Sequence, residues 1–251
     1  LPMDTPTGDA GSGGPPCAAP AQLLARALGG HARVWFVSAR SVAAAAEALG
    51  LGGAHAVAPL SGVPIGMRDV RQLAREHGRQ GTPLVLDLTL PTFFGCAGAR
   101  LGADVTLAPV GGGGDVEPLV AVGLGRDAWQ GARDGATLVA RLDACARKDH
   151  VPTVDQLRVL DAGRRAAADA AQVLASYLLC HPRVEEVRYP GLKTDPSFPV
   201  ASSQLTGGFG PLVDFRLRGE GGWHRATAAP GDAKQQVIGL EHELARGRAC
   251  R

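Results

Sequence analysis

The sequence predicts an α/β fold followed by a smaller α+β domain, and three features carry that expectation. The runs PLVLDL (83–88), ADVTLA (103–108) and PLVAVGL (118–124) are largely apolar rather than alternating, as strands buried on both faces of a mostly parallel sheet are. Helical spacing lies upstream of them, best seen in MRDVRQLAREHG (67–78), which puts Val70, Leu73 and Ala74 on one face and stops at Gly78. Beyond residue 133 the texture changes: helical patterns over 133–147 and 154–180 precede two further strand-like runs, VEEVRY (184–189) and PLVDFRL (211–217).

Taken in order, the first residues are rich in Pro, Gly, Ser and Thr, and 1–13 is expected to be a flexible tail. AQLLARAL (21–28) is helical and closes at Gly29-Gly30; ARVWFVS (32–38) has the β-branched and aromatic content of a strand. VAAAAEALG (42–50) is a second helix, and AHAVA (54–58) a weak short strand. The expected domains are 14–150, the large α/β unit, and 151–251, the α+β unit, with the boundary at His150-Val151-Pro152. No internal repeat is visible.

Composition excludes several classes. With 251 residues, 45% of them hydrophobic and 20% charged, the chain is long enough for a substantial core and ordinary for a globular protein. A net charge of +2 and 4% aromatics do not make a nucleic-acid surface, which needs clustered cations and stacking rings. The five cysteines are odd in number and widely spaced, without a CxxC, which excludes a one-chain disulfide framework or zinc ribbon and suits a reducing compartment. The first twenty residues lack Lys, Arg and an apolar core, and no stretch approaches a membrane span, so the expectation is a cytoplasmic protein with no membrane partner.

Few motifs carry chemistry. Gly111-Gly112-Gly113-Gly114 follows a strand but leads to Asp115-Val116-Glu117-Pro118 and another strand, with no helix N-terminus and no lysine, so it is expected to be a flexible connection rather than a phosphate cradle. The seven histidines form no HExxH or HxH, and no GxSxG is present. Asp87 stands apart. It ends an apolar strand of an α/β sheet, where ligands bind in such folds. Its carboxylate has two available roles, contact with a ligand or capping of the next turn through Thr89.

The segment LVLDLTLPTFFGCAGARLGADVTLAPVGGGGDV (84–116) resembles the centre of the Cys/Met-metabolism enzymes that use pyridoxal phosphate, the cystathionine synthases and lyases and methionine γ-lyase. Asp87, Thr89 and Gly102-Ala103-Asp104 match that family's Asp-Asn-Thr and Gly-Ala-Asp with no gap. HPRVEEVRYPGL (181–192), GGFGPLVDFRL (207–217) and, more weakly, IGLEHEL (238–244) are similar to its C-terminal domain. The resemblance spans about 15–244 and implies a type I pyridoxal-phosphate-enzyme fold, with a reduced large domain and a shortened C-terminal domain.

Position by position, the resemblance puts the family's Schiff-base lysine at Gly112 and its phosphate-holding Ser and Thr at Pro109 and Gly111. The upstream phosphate loop falls near Pro15-Pro16-Cys17, and proline offers no N–H to an anion. Ser61-Gly62 replaces the Asn-Pro pair that meets the ring hydroxyl; no Tyr lies at 39–46 to stack on the ring; the substrate-carboxylate Arg falls on Gln235, beside Lys234. The arm that lends Tyr and Arg to a neighbouring subunit is not found, and a long stretch between Leu217 and Gln235 is missing. The only lysines are Lys148, Lys193 and Lys234.

Asp87, opposite the pyridinium nitrogen, and Thr89 remain as implied cofactor contacts, with no catalytic residue and no metal. Pyridoxal chemistry needs the lysine as both anchor and proton shuttle, so the expectation is a degenerate, non-catalytic relative. It would act as a subunit or interaction protein in a homo-oligomer or beside an active paralogue. Two alternatives are residual pyridoxal-phosphate-dependent lyase or synthase activity on a sulfur or homoserine-type amino acid, and binding of a small molecule such as an amino acid in the old cofactor cleft.

Overall fold

A computed structural model describes residues 18–30, 32–51, 56–111, 118–125, 133–149 and 151–246. The tail 1–13, the Pro15-Pro16-Cys17 segment, Gly112 to Gly114 and His150 lie outside the described residues. The larger sheet has the order β1-β6-β5-β4, with β1 Arg33–Ser38, β4 Val85–Asp87, β5 Val105–Gly111 and β6 Leu119–Leu124. Strands β4 and β5 pair in parallel, while β6 is antiparallel to both β5 and β1. Three of the four strands therefore point one way, and β6 reverses for a simple reason: the residues 112–118 between β5 and β6 are too few for the crossover that a parallel return requires.

Burial on both faces explains the largely apolar runs. Val85, Val105, Leu107, Val120 and Val122 pack on one face with α2 (Val42–Ala48) and α6 (Arg133–Cys145), through Ala45, Leu49, Leu138 and Leu142. Leu84, Leu86, Leu88, Ala108 and Ala121 pack on the other, beneath Leu24 and Leu28 of α1 (Ala18–Leu28) and Leu73 of α3 (Val70–Gln80). The period of two in these alternating sets is the pleat itself. Two short helices, α4 (Thr92–Gly95) and α5 (Gly98–Leu101), make the crossover from β4 to β5. The weak strand expected at 54–58 contributes a single parallel bridge, Val57 to Leu86, outside β4.

The smaller sheet is antiparallel, β7 (Val184–Arg188), β8 (Leu212–Leu217) and β9 (His224–Thr227) in that order. It packs on α7 (Val154–Cys180) and α9 (Ala233–Ala245) through Ala171, Leu174, Leu178, Val213, Phe215, Leu240 and Leu244. Helix α7 has the bounds the sequence predicts because both ends are chemically marked. Thr153 and Gln156 form a reciprocal capping box, Gln156 N to Thr153 Oγ1 at 3.2 Å and Thr153 N to Gln156 Oε1 at 2.8 Å, and His181-Pro182 stops it. Its first turns belong to the other core, since Leu157 packs with the larger sheet. The hairpin β2 (Leu60–Ser61) and β3 (Gly66–Met67), the helix α8 (Phe198–Gln204), and β9 and α9 were not expected. Most of these are short, and IGLEHEL lies inside α9.

Cys96 is fully buried in the larger core, and burial pushes its thiol up to about 12, whereas Cys145 and Cys180 are exposed. Because the thiolate is the reactive species, brief alkylation of the native protein at about pH 8, read by peptide mapping, is expected to label Cys145 and Cys180 and leave Cys96 unmodified until the chain is denatured.

Candidate functional site

Asp87 is the last residue of β4, and its N–H donates to Val57 O at 3.0 Å. Its carboxylate Oδ1 accepts from Thr89 N at 2.8 Å and Thr89 Oγ1 at 2.5 Å. Of the two roles open to it, the turn cap is therefore realised. Asp87 is half-buried and Thr89 exposed, so the pair sits at the rim of the sheet's C-terminal edge. The chain then folds inward sharply: Thr92 N donates to Leu88 O at 2.8 Å, and Thr92 takes φ 55°, the left-handed conformation that side chains disfavour. Thr92 and Phe93 are both buried, and their packing holds that backbone in place.

Alongside, β5 ends at Pro109-Val110-Gly111, with its pairing to β6 irregular between Pro109 and Gly111. Gly112, where the resemblance sets the family's lysine, lies outside the described residues, but the residues just before it carry neither amine nor hydroxyl. All three lysines are exposed: Lys148 beyond α6, Lys193 after β7 and Lys234 in the first turn of α9. Lys148 is also far across the sheet. Its neighbour Arg147 donates to Phe36 O of β1, and β1 stands three strands from β4, roughly 14 Å away. Ser61 spends its hydroxyl locally, donating to Ala58 O at 3.0 Å. Gln235 is exposed on α9.

The sequence did not single out Asp214, Arg225, Gln204 or Asp161, and these make the polar junction between the sheets. Asp214, on β8, exposes no surface; Arg225, on β9, donates to it from Nε and Nη2, both at 2.7 Å. The backbone N–H of Ile65 in the β2–β3 turn donates to the same carboxylate at 2.5 Å, and Arg225 Nη2 also donates to Gly62 O. Gln204 of α8 caps α3: its Oε1 accepts from Val70 N at 2.9 Å while its Nε2 donates to Asp69 Oδ1 at 2.6 Å. The chain past Gln204 is tied to α4 by Thr206 N to Gly95 O at 2.9 Å. Arg164, whose side chain is 6% exposed, donates to Asp161 Oδ1 and to Gly207 O, and Arg165 takes Asp161 Oδ2. A carboxylate embedded in the apolar run PLVDFRL was the one available signal for Asp214.

Burial alone would raise the carboxyls of Asp69 and Asp161. Hydrogen bonds overcome it, from Gln204 and the backbone of Gln72 and Arg71 for Asp69, and from Arg165 and Arg164 for Asp161, so both lie below the usual carboxylate range. Among the described residues no group of three or more His, Cys, Asp or Glu could hold a metal, and no described helix is long and apolar enough to cross a membrane.

Residues 127–231 match the family model for Cys/Met metabolism PLP-dependent enzymes. Over 163 residues the chain is 31% identical to an L-methionine gamma-lyase of Pseudomonas putida, an alignment covering 61% of this chain and 39% of that protein. Over these residues the chain is similar to the Cys/Met metabolism family of pyridoxal-phosphate-dependent enzymes. Solved structures agree in fold: cystathionine gamma synthase from Xanthomonas oryzae has a TM-score of 0.60 at 22% identity, covering 72% of this chain and 60% of that one. The apo methionine gamma lyase from Micromonospora echinospora has 0.58 at 22% identity, covering 75% and 62%. The chain thus spans about two fifths of the Pseudomonas lyase and about three fifths of each solved chain. The family's cofactor is pyridoxal phosphate, and the carboxylate of Asp87 suits its ring nitrogen. The described residues at the ends of β4 and β5 supply no amine to anchor it and no side-chain hydroxyl at 109 or 111 for its phosphate, so a covalently held cofactor does not fit them.

Gln204→Ala removes the partner of Val70 N at a position 6% exposed. It is expected to lower unfolding free energy by about 1–3 kcal/mol in urea titrations. The depressed carboxyls give a sign for pH. Their contribution is present above the unfolded value of 3.8 and is lost as the pH falls through the lower folded values. The urea midpoint is therefore expected to hold near neutrality and fall below about pH 4, less steeply in the Asp161→Asn variant.

Proposed function

We propose that this chain is a non-catalytic homologue of the transsulfuration enzymes, serving as an oligomer subunit or interaction protein beside an active paralogue. The observation that carries this reading is the pair Pro109 and Gly111 at the end of β5, followed in the chain by Gly112 where the resemblance sets the family's lysine, together with three lysines all exposed elsewhere. Without an amine the cofactor has no anchor and the reaction no proton shuttle at that place. In this reading residues 14–150 form the reduced large domain and 151–251 the shortened C-terminal one. The fold is kept for the surface it presents to its partner. Asp87 and Thr89 are the remaining cofactor contacts, so any cofactor held there is held reversibly through Asp87.

Purified chain is titrated with pyridoxal phosphate, treated with borohydride and digested for peptide mapping. No lysine peptide is expected to carry label beyond the level of a denatured control. Stoichiometric trapping on Lys148, Lys193 or Lys234 overturns the reading in favour of residual lyase or synthase activity. A spectral change abolished by Asp87→Ala, with no trapped lysine, favours a small-molecule binder. Co-expression with a tagged catalytic homologue from the same source is expected to give a stable mixed oligomer.

A further inference from the structure

Three N–H groups converge on the Asp214 carboxylate. Arg225 Nε meets Oδ1 and Arg225 Nη2 meets Oδ2, both at 2.7 Å, a two-pronged grip, and Ile65 N adds a bond to Oδ2 at 2.5 Å. The carboxylate exposes no surface and projects from β8 on the face opposite Val213 and Phe215, toward the β2–β3 turn, while the Arg225 side chain is 32% exposed. Two-pronged arginine plus a backbone amide is the donor set that recognises a free carboxylate. Among the described residues Arg225 Nη1 has no hydrogen-bond partner, so one end of the fork still faces outward. The receptor also stands close to the candidate site. Gly62, which accepts from Arg225, is five residues along the chain from Val57, which accepts from Asp87 N, a reach of at most about 17 Å. Stability alone is a poor reason for such a pair, since well-packed apolar residues of similar volume generally serve a core as well as a buried ion pair.

We propose that Asp214 is a built-in ligand: it fills a carboxylate receptor made by Arg225 and the Ile65 N–H, and so closes that receptor to the carboxylate of a free amino acid or other small carboxylic acid. The inference deepens the non-catalytic reading and rests on it for its meaning, that this subunit does not hold a free amino-acid substrate. Its test involves no pyridoxal chemistry, so the two readings fail separately.

The full chain is compared with Asp214→Ala and with Asp214→Ala/Arg225→Gln in sodium acetate and in sodium chloride of equal ionic strength. The native chain is expected to melt at the same temperature in both salts, because its receptor is full. Asp214→Ala is expected to melt roughly 6–20 °C lower in chloride and to regain at least half of that loss in acetate, saturably. The double variant is expected to show no acetate-specific gain. A folded Asp214→Ala protein that responds to acetate no more than the native chain overturns the proposal, as does a gain that survives loss of Arg225. Should Asp214→Ala fail to fold in chloride, its refolding yield decides: recovery in acetate supports the proposal, and equal failure in both salts overturns it.

Discussion

Burial of β4 and β5 on both faces is the constraint from which the rest of the molecule follows. A strand covered above and below has little room for polar side chains along its length: Val85, Leu86, Val105 and Leu107 are apolar and almost wholly withdrawn from water, and the one buried hydroxyl among them, Thr106, is satisfied by donating to Gly123 O. Polar chemistry is confined to where the strands emerge. Asp87 is the first charged residue β4 reaches, and the chain immediately turns over it, with Thr89 capping the carboxylate and Thr92 bent into a conformation that only packing sustains. The turn over Asp87 and the integrity of the core beneath it are set by the same few residues.

The two cores are joined by hydrogen-bonded polar groups. Gln204 completes the N-terminus of α3, Thr206 reaches Gly95, and Asp214 holds the β2–β3 turn through Ile65. Each satisfies a backbone group that would otherwise lie orphaned near the contact between the sheets. Such bonds are directional, so they fix the orientation of the sheets more sharply than apolar packing does. Apolar continuity adds to this through α7, which gives Leu157 to one core and Leu174 and Leu178 to the other.

Local physics made the central elements legible. The helix 154–180 carries its own cap and its own stop, and β1, β5 and β6 carry largely apolar runs, so each can be placed without knowing its neighbours. The hairpin at 60–67, α8 and β9 are short and depend on tertiary contacts: Leu60 and Met67 join the larger core only because the chain around them is held from afar. The site divides in the same way. The tie of Asp87 to Thr89 was legible because the two stand only two residues apart in the chain. Gln204 and Arg225 were not, since their partners are 134 and 163 residues distant, Val70 and Gly62. The family resemblance set the carboxylate-binding arginine against Gln235, which the structure puts on the exposed side of α9; the arginine turned toward the junction is Arg225.

On the non-catalytic reading, loss of catalytic groups and retention of the fold are compatible because different residues serve the two purposes. Lysine and hydroxyls at the end of a sheet contribute little to packing and often strain it, so Gly and Pro in their place leave the apolar layers intact. A receptor for a ligand's carboxylate is different, because an arginine drawn partly out of water needs a counter-charge whether or not a ligand arrives. Asp214 supplies that charge from within the chain. On these proposals the amine is dispensable to the fold, whereas the arginine beside the β2–β3 turn needs a permanent partner, and Asp214 meets it through two hydrogen bonds.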